Sequence, residues 1–300
     1  MVYTMILKLA NNKMDKDNWY EWWYYKIVLP ETDKREARAF YFVYGIVNPW
    51  DVKHTKKGSR SYVGLGDFHN EYVVDVEYPV QMFGASYDET SVVVPDGRAS
   101  NKSIQGSINE DGKAYSWDIK VDHRWTFNAE GWMTGKMLTN IEWYPAQADA
   151  RCSGEINAQG EIYKFENAPC YQDRNWGESF PEWWTWIVSN KFDNHPETAL
   201  AVGGGKPSVI GIPSWYEGVT IGLNHKGKAY EFRPMSADYV SVDINFGEWE
   251  VVGIKKNQRV KVEISAYAPP EKFMDLQFMT PEGEVFHDYE ALLGDVTVKL

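Results

Sequence analysis

Residues 113–121, KAYSWDIKV, set Tyr115, Trp117, Ile119 and Val121 on one side of an extended chain and Ser116, Asp118 and Lys120 on the other. A period of two marks a strand with one buried face, because successive side chains leave a pleated backbone on opposite sides. RVKVEISAY (259–267) repeats it, with Val260, Val262, Ile264 and Ala266 against Lys261, Glu263 and Ser265. No stretch sustains a helical period beyond a couple of turns. The chain reads as all-β, built of half-buried antiparallel strands.

The turns repeat as well. INEDGKAYSW (108–117), INAQGEIYKF (156–165) and LNHKGKAYEF (223–232) share an aliphatic residue, Asn, two polar residues, Gly, then Tyr and a further aromatic. Gly112, Gly160 and Gly227 would supply the positive φ of a tight hairpin. Three such hairpins predict an extended meander, the kind of sheet that curls and closes. A longer echo pairs EWWYYKIVLP at Glu21 with EWWTWIVSNK at Glu182, and on the same offset Glu36 with Glu197 and Trp19 with Phe180. This predicts two related β halves joined within residues 168–180.

Alternation through the echoed strands groups Glu21, Trp23, Tyr25 and Ile27 against Trp22, Tyr24 and Lys26, and groups Glu182, Trp184, Trp186 and Val188 against Trp183 and Thr185. Since Lys26 favours water and Ile27 does not, the expectation is that the first set of each points inward. Each half would then aim a carboxylate and two rings at its interior. Such a carboxyl loses hydration, its pKa rises, and it can act as a proton donor near neutrality. The alternative for Glu21 and Glu182 is a turn cap or a pair with Arg.

Composition fits a cavity but does not demand one. The chain carries 14 Trp, 19 Tyr and 13 Phe, enough rings either to wall an apolar guest or simply to fill the core of a β protein. A net charge of −12 with dispersed Lys and Arg argues against a nucleic-acid partner. The opening MVYTMILKLANNKMDK reads as neither signal peptide nor anchor, and no apolar run approaches the ~20 residues of a membrane span. A cytoplasmic protein is expected. The two cysteines, Cys152 and Cys170, flank a predicted hairpin; reduced thiols are expected, with a disulfide as the alternative.

Several chemistries find no motif. The six histidines are dispersed without HExxH or His-x-His, and the cysteines make no CxxC, so no metal site is expected. GESFP (177–181) has Pro181 where a nucleophile elbow needs Gly. GGGK (203–206) lacks the leading Gly and the following Ser or Thr of a phosphate loop. No cofactor is expected.

The stretch YQDRNWGESFPEWWTWIVSNKF (171–192) resembles the signature of the tocopherol cyclase family: an acidic residue before Asn-Trp-Gly, then Ser-Phe-Pro and spaced tryptophans. GEINAQGEIYKFENAP (154–169), EWWYYKIVLP (21–30) and AFYFVYG (39–45) are also similar to that family and to its relatives, the carotenoid 1,2-hydratases and lipocalin-like Diels–Alderases. The resemblance implies two lipocalin-like antiparallel β-barrel domains, here 1–170 and 171–300, and a lipophilic small-molecule substrate in an aromatic pocket. It implies a cofactor-independent cyclase acting on a polyene or prenylated substrate, by protonation or by pericyclic closure. An isoprenoid hydratase and a non-catalytic lipophile carrier are the alternatives. The hydratase relatives carry an acid–base Asp two residues after a Tyr, a pattern that falls on Tyr171 and Asp173.

The residues converge on the same reading. Asp173, with Tyr171, Glu182 and Glu21, forms the candidate catalytic set, although a salt bridge to Arg174 would lower the pKa of Asp173 and defeat its role as an acid. A buried structural carboxylate is the other reading of Asp173. Asn175 would orient the carboxyl or a substrate carbonyl. Trp23, Tyr25, Tyr44, Trp176, Trp184 and Trp186 would line the pocket, with the indole faces stabilising a developing cation.

Overall fold

The computed structural model describes residues 18–33, 35–86, 90–213 and 216–300. The opening stretch read above for a signal or anchor lies outside them, apart from its sequence. The regular structure of the described residues is almost all antiparallel β; among them the helices are single 3₁₀ turns, and none is long and apolar enough to cross a membrane.

The first eleven strands form one sheet. They are β1 (Tyr20–Leu29), β2 (Arg38–Val47), β3 (Arg60–Asp67), β4 (Tyr72–Tyr78), β5 (Gly84–Ala85), β6 (Ser91–Val94), β7 (Gly97–Ser100), β8 (Ser103–Glu110), β9 (Lys113–Trp125), β10 (Ile141–Ala158) and β11 (Glu161–Gly177). Their order, β4-β3-β2-β1-β11-β10-β9-β8-β7-β6-β5, makes β1 and β11 neighbours in the interior of the sheet. The sheet curls until β2 and β3 approach β6 and β7 across a core that holds Trp23, Tyr25, Phe42, Tyr44, Trp117 and Ile119. Among the described residues no ladder joins the edges β4 and β5, so the sheet is a curled half-barrel and not a barrel closed by hydrogen bonds.

The rest of the chain forms two four-stranded sheets and a hairpin. The first is β12 (Trp184–Ser189), β13 (Thr198–Gly205), β14 (Gly218–His225) and β15 (Lys228–Phe232). The second orders β16 (Tyr239–Asn245), β17 (Glu248–Lys255) and β18 (Val260–Tyr267) beside β21 (Asp295–Lys299), and β19 (Met274–Met279) pairs with β20 (Val285–Glu290). Leu200, Val202, Ile221 and Phe232 of the first sheet meet Val251, Val262 and Ile264 of the second. The all-β expectation thus takes the form of one large curled half-barrel sheet and a smaller layered unit. β11 runs unbroken through residues 161–177 and so ties the sequence on either side of residue 170 into the first sheet.

Local sequence explains these elements. The three repeated turns close β8–β9, β10–β11 and β14–β15, and in each the Gly (φ 74°, 92° and 76°) follows a residue that is itself at φ 53°. Two successive positive φ values define the two-residue turn whose twist matches that of a hairpin. β1 reads YEWWYYKIVL without polar alternation because both its faces are buried, one inside the curl and the other against the C-terminal half. Cys152 and Cys170 face each other from neighbouring strands, β10 and β11, with Cα atoms 5.9 Å apart, and are joined as a disulfide. This corrects the expectation of reduced thiols: adjacent strands bring two side chains of one face within bonding reach.

Candidate active site

The register of the β1–β11 pair assembles the site. Tyr24 lies opposite Asp173, Trp22 opposite Asn175 and Lys26 opposite Tyr171, so these six side chains share one face of β1 and β11. On the next strand Trp143 of β10 lies opposite Asn175. Trp184, Trp186 and Val188 of β12 and Phe278 of β19 pack over this face. The two strands that echo each other in sequence thus meet, Trp22 against Trp184 with centroids 6.4 Å apart and Tyr24 against Trp186 at 5.9 Å. Between them opens a cavity of about 910 Å³ lined by Trp22, Tyr24, Lys26, Trp143, Asp173 and Asn175 together with the β12 tryptophans. That volume lies at the upper end of ordinary ligand pockets.

Asp173 is 4% exposed and held on three sides. Its Oδ2 accepts hydrogen bonds from the Trp143 indole N–H (2.8 Å) and the Tyr171 hydroxyl (2.9 Å), while Oδ1 accepts from the Asn175 amide (3.3 Å). The Trp186 indole in turn donates to the Tyr171 oxygen at 3.3 Å, fixing that ring. Burial pushes the Asp173 carboxyl up to about 7, and the three donors only partly oppose it. The group is thus shared between acid and carboxylate near neutral pH. Burial likewise raises the Tyr171 hydroxyl well above its ordinary value, with the neighbouring Asp173 charge adding to the shift, so it remains a proton donor.

A second polar group of side chains borders the same cavity. The Tyr24 hydroxyl donates to Glu290 (2.9 Å), and the Trp184 indole donates to Asp288 (2.9 Å). Burial raises Asp288 to about 6, and burial together with Asp288 raises Glu290 well above the carboxylate range. Lys26 donates to the Val188 carbonyl at 3.3 Å and lies over the Trp186 ring; burial lowers it to about 8 against the pull of Glu290.

The structure separates the expected site residues into two groups. Asp173, Asn175, Trp184 and Trp186 line the cavity, and Tyr171 supports Asp173 from beneath. Glu21, Trp23, Tyr25, Tyr44 and Trp176 face away from it. Trp23, Tyr25 and Tyr44 pack inside the curl, where the Tyr25 hydroxyl donates to the Ser100 carbonyl and the Tyr44 hydroxyl to that of Gln105. Trp176 packs with Trp19, and Glu21 pairs with Arg174. Glu182 precedes β12 and points outward, its side chain 67% exposed and paired with Lys206 at 2.6 Å. The expectation that Glu21, Trp23, Tyr25 and Ile27 point inward rests on Lys26 needing water. Because both faces of β1 are buried, the cavity lies on the face that carries the lysine.

Sequence reading thus missed Trp22, Tyr24, Lys26, Trp143, Asp288 and Glu290. The last two had a usable signal: Phe286, Asp288 and Glu290 alternate with the exposed Val285, His287 and Tyr289, which places two carboxyls in register with a half-buried ring.

A family model described as tocopherol cyclase-like matches residues 91–300, and the chain belongs to that family. It is 27% identical over 304 residues to a rice (Oryza sativa subsp. japonica) protein named "Probable tocopherol cyclase, chloroplastic", covering 83% of this chain and 63% of that one. It is 26% identical to the tocopherol cyclase, chloroplastic, of Zea mays, covering 81% and 61%. The chain therefore spans less than two thirds of the length of these relatives. Among solved structures, kievitone hydratase from Nectria haematococca superposes with a TM-score of 0.51 over 86% of this chain and 77% of that one, at 10% identity. That likeness concerns the fold.

Proposed function

We propose that the chain is a cyclase that closes a ring in a lipophilic, prenylated substrate by protonating a carbon–carbon double bond, with Asp173 as the acid. The observation that carries this is the Asp173 carboxyl, buried in an indole-walled cavity, held by three donors and raised to about 7 by burial. The Asp173 proton passes to the less substituted alkene carbon and leaves a tertiary cation. A substrate hydroxyl oxygen bonds to that cation, and its proton returns to the carboxylate, so the product is an isomer of the substrate. The faces of Trp184, Trp186 and Trp22 stabilise the cation, each by about 0.5–2 kcal/mol. Tyr171, Trp143 and Asn175 orient the acid. None of these steps draws on a cofactor. The two halves are read as lipocalin-like units joined within residues 168–180, with the substrate held between them.

Interception of the same cation by water would make the enzyme a hydratase, and Asp173 serves that reaction equally well. The experiment is incubation with a prenylated hydroquinone in D₂O, followed by mass analysis of the product. Acid-initiated closure places one deuterium on carbon, and hydration also adds the mass of water. Asp173→Asn should abolish turnover while substrate still binds. Ring closure without deuterium would replace the acid by pericyclic closure, and deuterated closure undiminished in Asp173→Asn would move the acid to another carboxyl of the cavity; binding with no turnover in the unaltered protein would make it a carrier.

A further inference from the structure

Beyond the Asp173 face, the cavity wall continues along a segment that the mechanism leaves unused. Glu130 precedes a single 3₁₀ turn between β9 and β10, and together with Ala129, Met133 and Tyr216 it lines this part of the cavity. Trp143 connects it to the acid: its backbone N–H donates to Glu130, whereas its indole N–H donates to Asp173. The two carboxyls therefore sit on either side of one tryptophan, and both line the same cavity.

Most of the other polar side chains around Glu130 are already committed. Thr139 donates to the Ile141 carbonyl and Thr220 to the Gly203 carbonyl. Arg233 donates to the Asn128 and Ala129 carbonyls and pairs with Glu231. Glu130, with capacity beyond the Trp143 backbone N–H that it accepts, and the Tyr216 hydroxyl remain; burial raises the Tyr216 pKa, and the nearby Glu130 charge adds to the shift. Burial, reinforced by Glu142, pushes Glu130 up to about 8, so it faces the cavity mainly as a neutral acid that can both donate and accept.

Resting on the reading of the cavity as a lipophile site, we propose that Glu130 and Tyr216 form a second polar subsite, which holds the uncharged oxygen head of the substrate while Asp173 faces its reacting carbons. Two neutral donors suit a phenolic hydroxyl or a carbonyl. A hydrocarbon leaves both without a partner in an apolar wall, and burying such groups unpaired is what discriminates against a ligand lacking the oxygen.

The test measures binding by quenching of tryptophan fluorescence in the Asp173→Asn chain, which holds ligand without turning it over. The probes are geranylhydroquinone and geranylbenzene, which share the ring and prenyl carbons but differ in the two ring oxygens. The hydroquinone should bind about tenfold more tightly. Adding Glu130→Leu or Tyr216→Phe should each lower that ratio severalfold, both together should bring it near one, and Glu130→Gln, which keeps a donor and an acceptor, should retain most of it. Tyr216→Phe keeps the ring and carries the test alone if the leucine variant does not fold. A ratio that survives in a folded double variant, or a parent ratio of one, would overturn the subsite and leave the cavity intact. Failure of the parent to bind either probe would overturn both readings.

Discussion

Arg174 follows Asp173 in the chain, yet its guanidinium binds Glu21 on the opposite face of the sheet. Neighbours along a strand point to opposite sides, so the cation closest in sequence is kept from the acid, and the Asp173 carboxyl stays high. Arg174 also lies over the rings of Trp23 and Trp176, at 5.2 and 4.8 Å. Glu21→Gln leaves that guanidinium buried without its carboxylate and should cost about 3–5 kcal/mol in urea unfolding. Because Glu21 lies away from the cavity, turnover per folded molecule should be unchanged. A selective loss of turnover at full stability would return Glu21 to the catalytic set.

Asp173 should make the fold less stable as it ionises. Its folded pKa is about 7 against an ordinary value of 3.8, so the penalty is absent below the ordinary value and complete above pH 7. The full shift corresponds to about 4 kcal/mol. Asp173→Asn should therefore unfold at a higher denaturant concentration than the unaltered chain at pH 8 and at nearly the same concentration at pH 4, measured by urea titration. The turnover of the unaltered chain should fall on the alkaline side of about pH 7, as the acid form is lost. Asp288 and Glu130 are raised in the same direction, so the protein as a whole should gain stability as the pH is lowered from 8 towards 5.

Lys26 gives the opposite sign. Burial lowers it from 10.5 to about 8, so its charge weighs on the folded state below pH 8, and the penalty fades as the pH rises towards 10.5. Lys26→Met keeps the volume and removes the charge. It should raise stability at pH 7 by up to about 3 kcal/mol, less whatever the Val188 and Glu290 contacts supply. The gain should shrink between pH 8 and 10.5; a gain independent of pH would mean that burial leaves the lysine's pKa unshifted and that the gain does not come from its charge.

Alternation and turn chemistry made the strands legible because both are local. Tyr115 to Val121, and the three Gly turns, sit as their spacing predicts. The face of β1 was not legible, since a strand covered on both sides carries no polar stripe, and the environment of Lys26 depends on β12 and β20, far away in the chain. Asp173, Asn175 and Tyr171 were found through a contiguous motif on one strand. Trp143 is contributed from a neighbouring strand and was invisible for that reason. Glu182 illustrates the reverse: it matches Glu21 on the echo, but it lies just before β12 begins, where nothing directs it inward.

The glycines of GGGK, which as a motif suggested an incomplete phosphate loop, serve packing. Gly203 lies on β13 under the six-membered ring of Trp143, and a Cβ there would stand 2.6 Å from Cη2 and Cζ3. Those atoms belong to a rigid ring flanked by Phe127, so the indole would have to shift instead of flexing. A shift moves the Nε1 that donates to Asp173. Gly203→Ala should therefore weaken the bond that steadies the acid: kcat should fall, by up to about 100-fold for a displacement near 1 Å. Losing a donor to the carboxylate should also carry the alkaline limb of the rate profile to higher pH. Trp143→Phe should move that limb the same way by about one pH unit, because it removes the donor and keeps an aromatic ring. If both variants lose activity but leave the limb in place, Trp143 shapes the cavity without tuning Asp173.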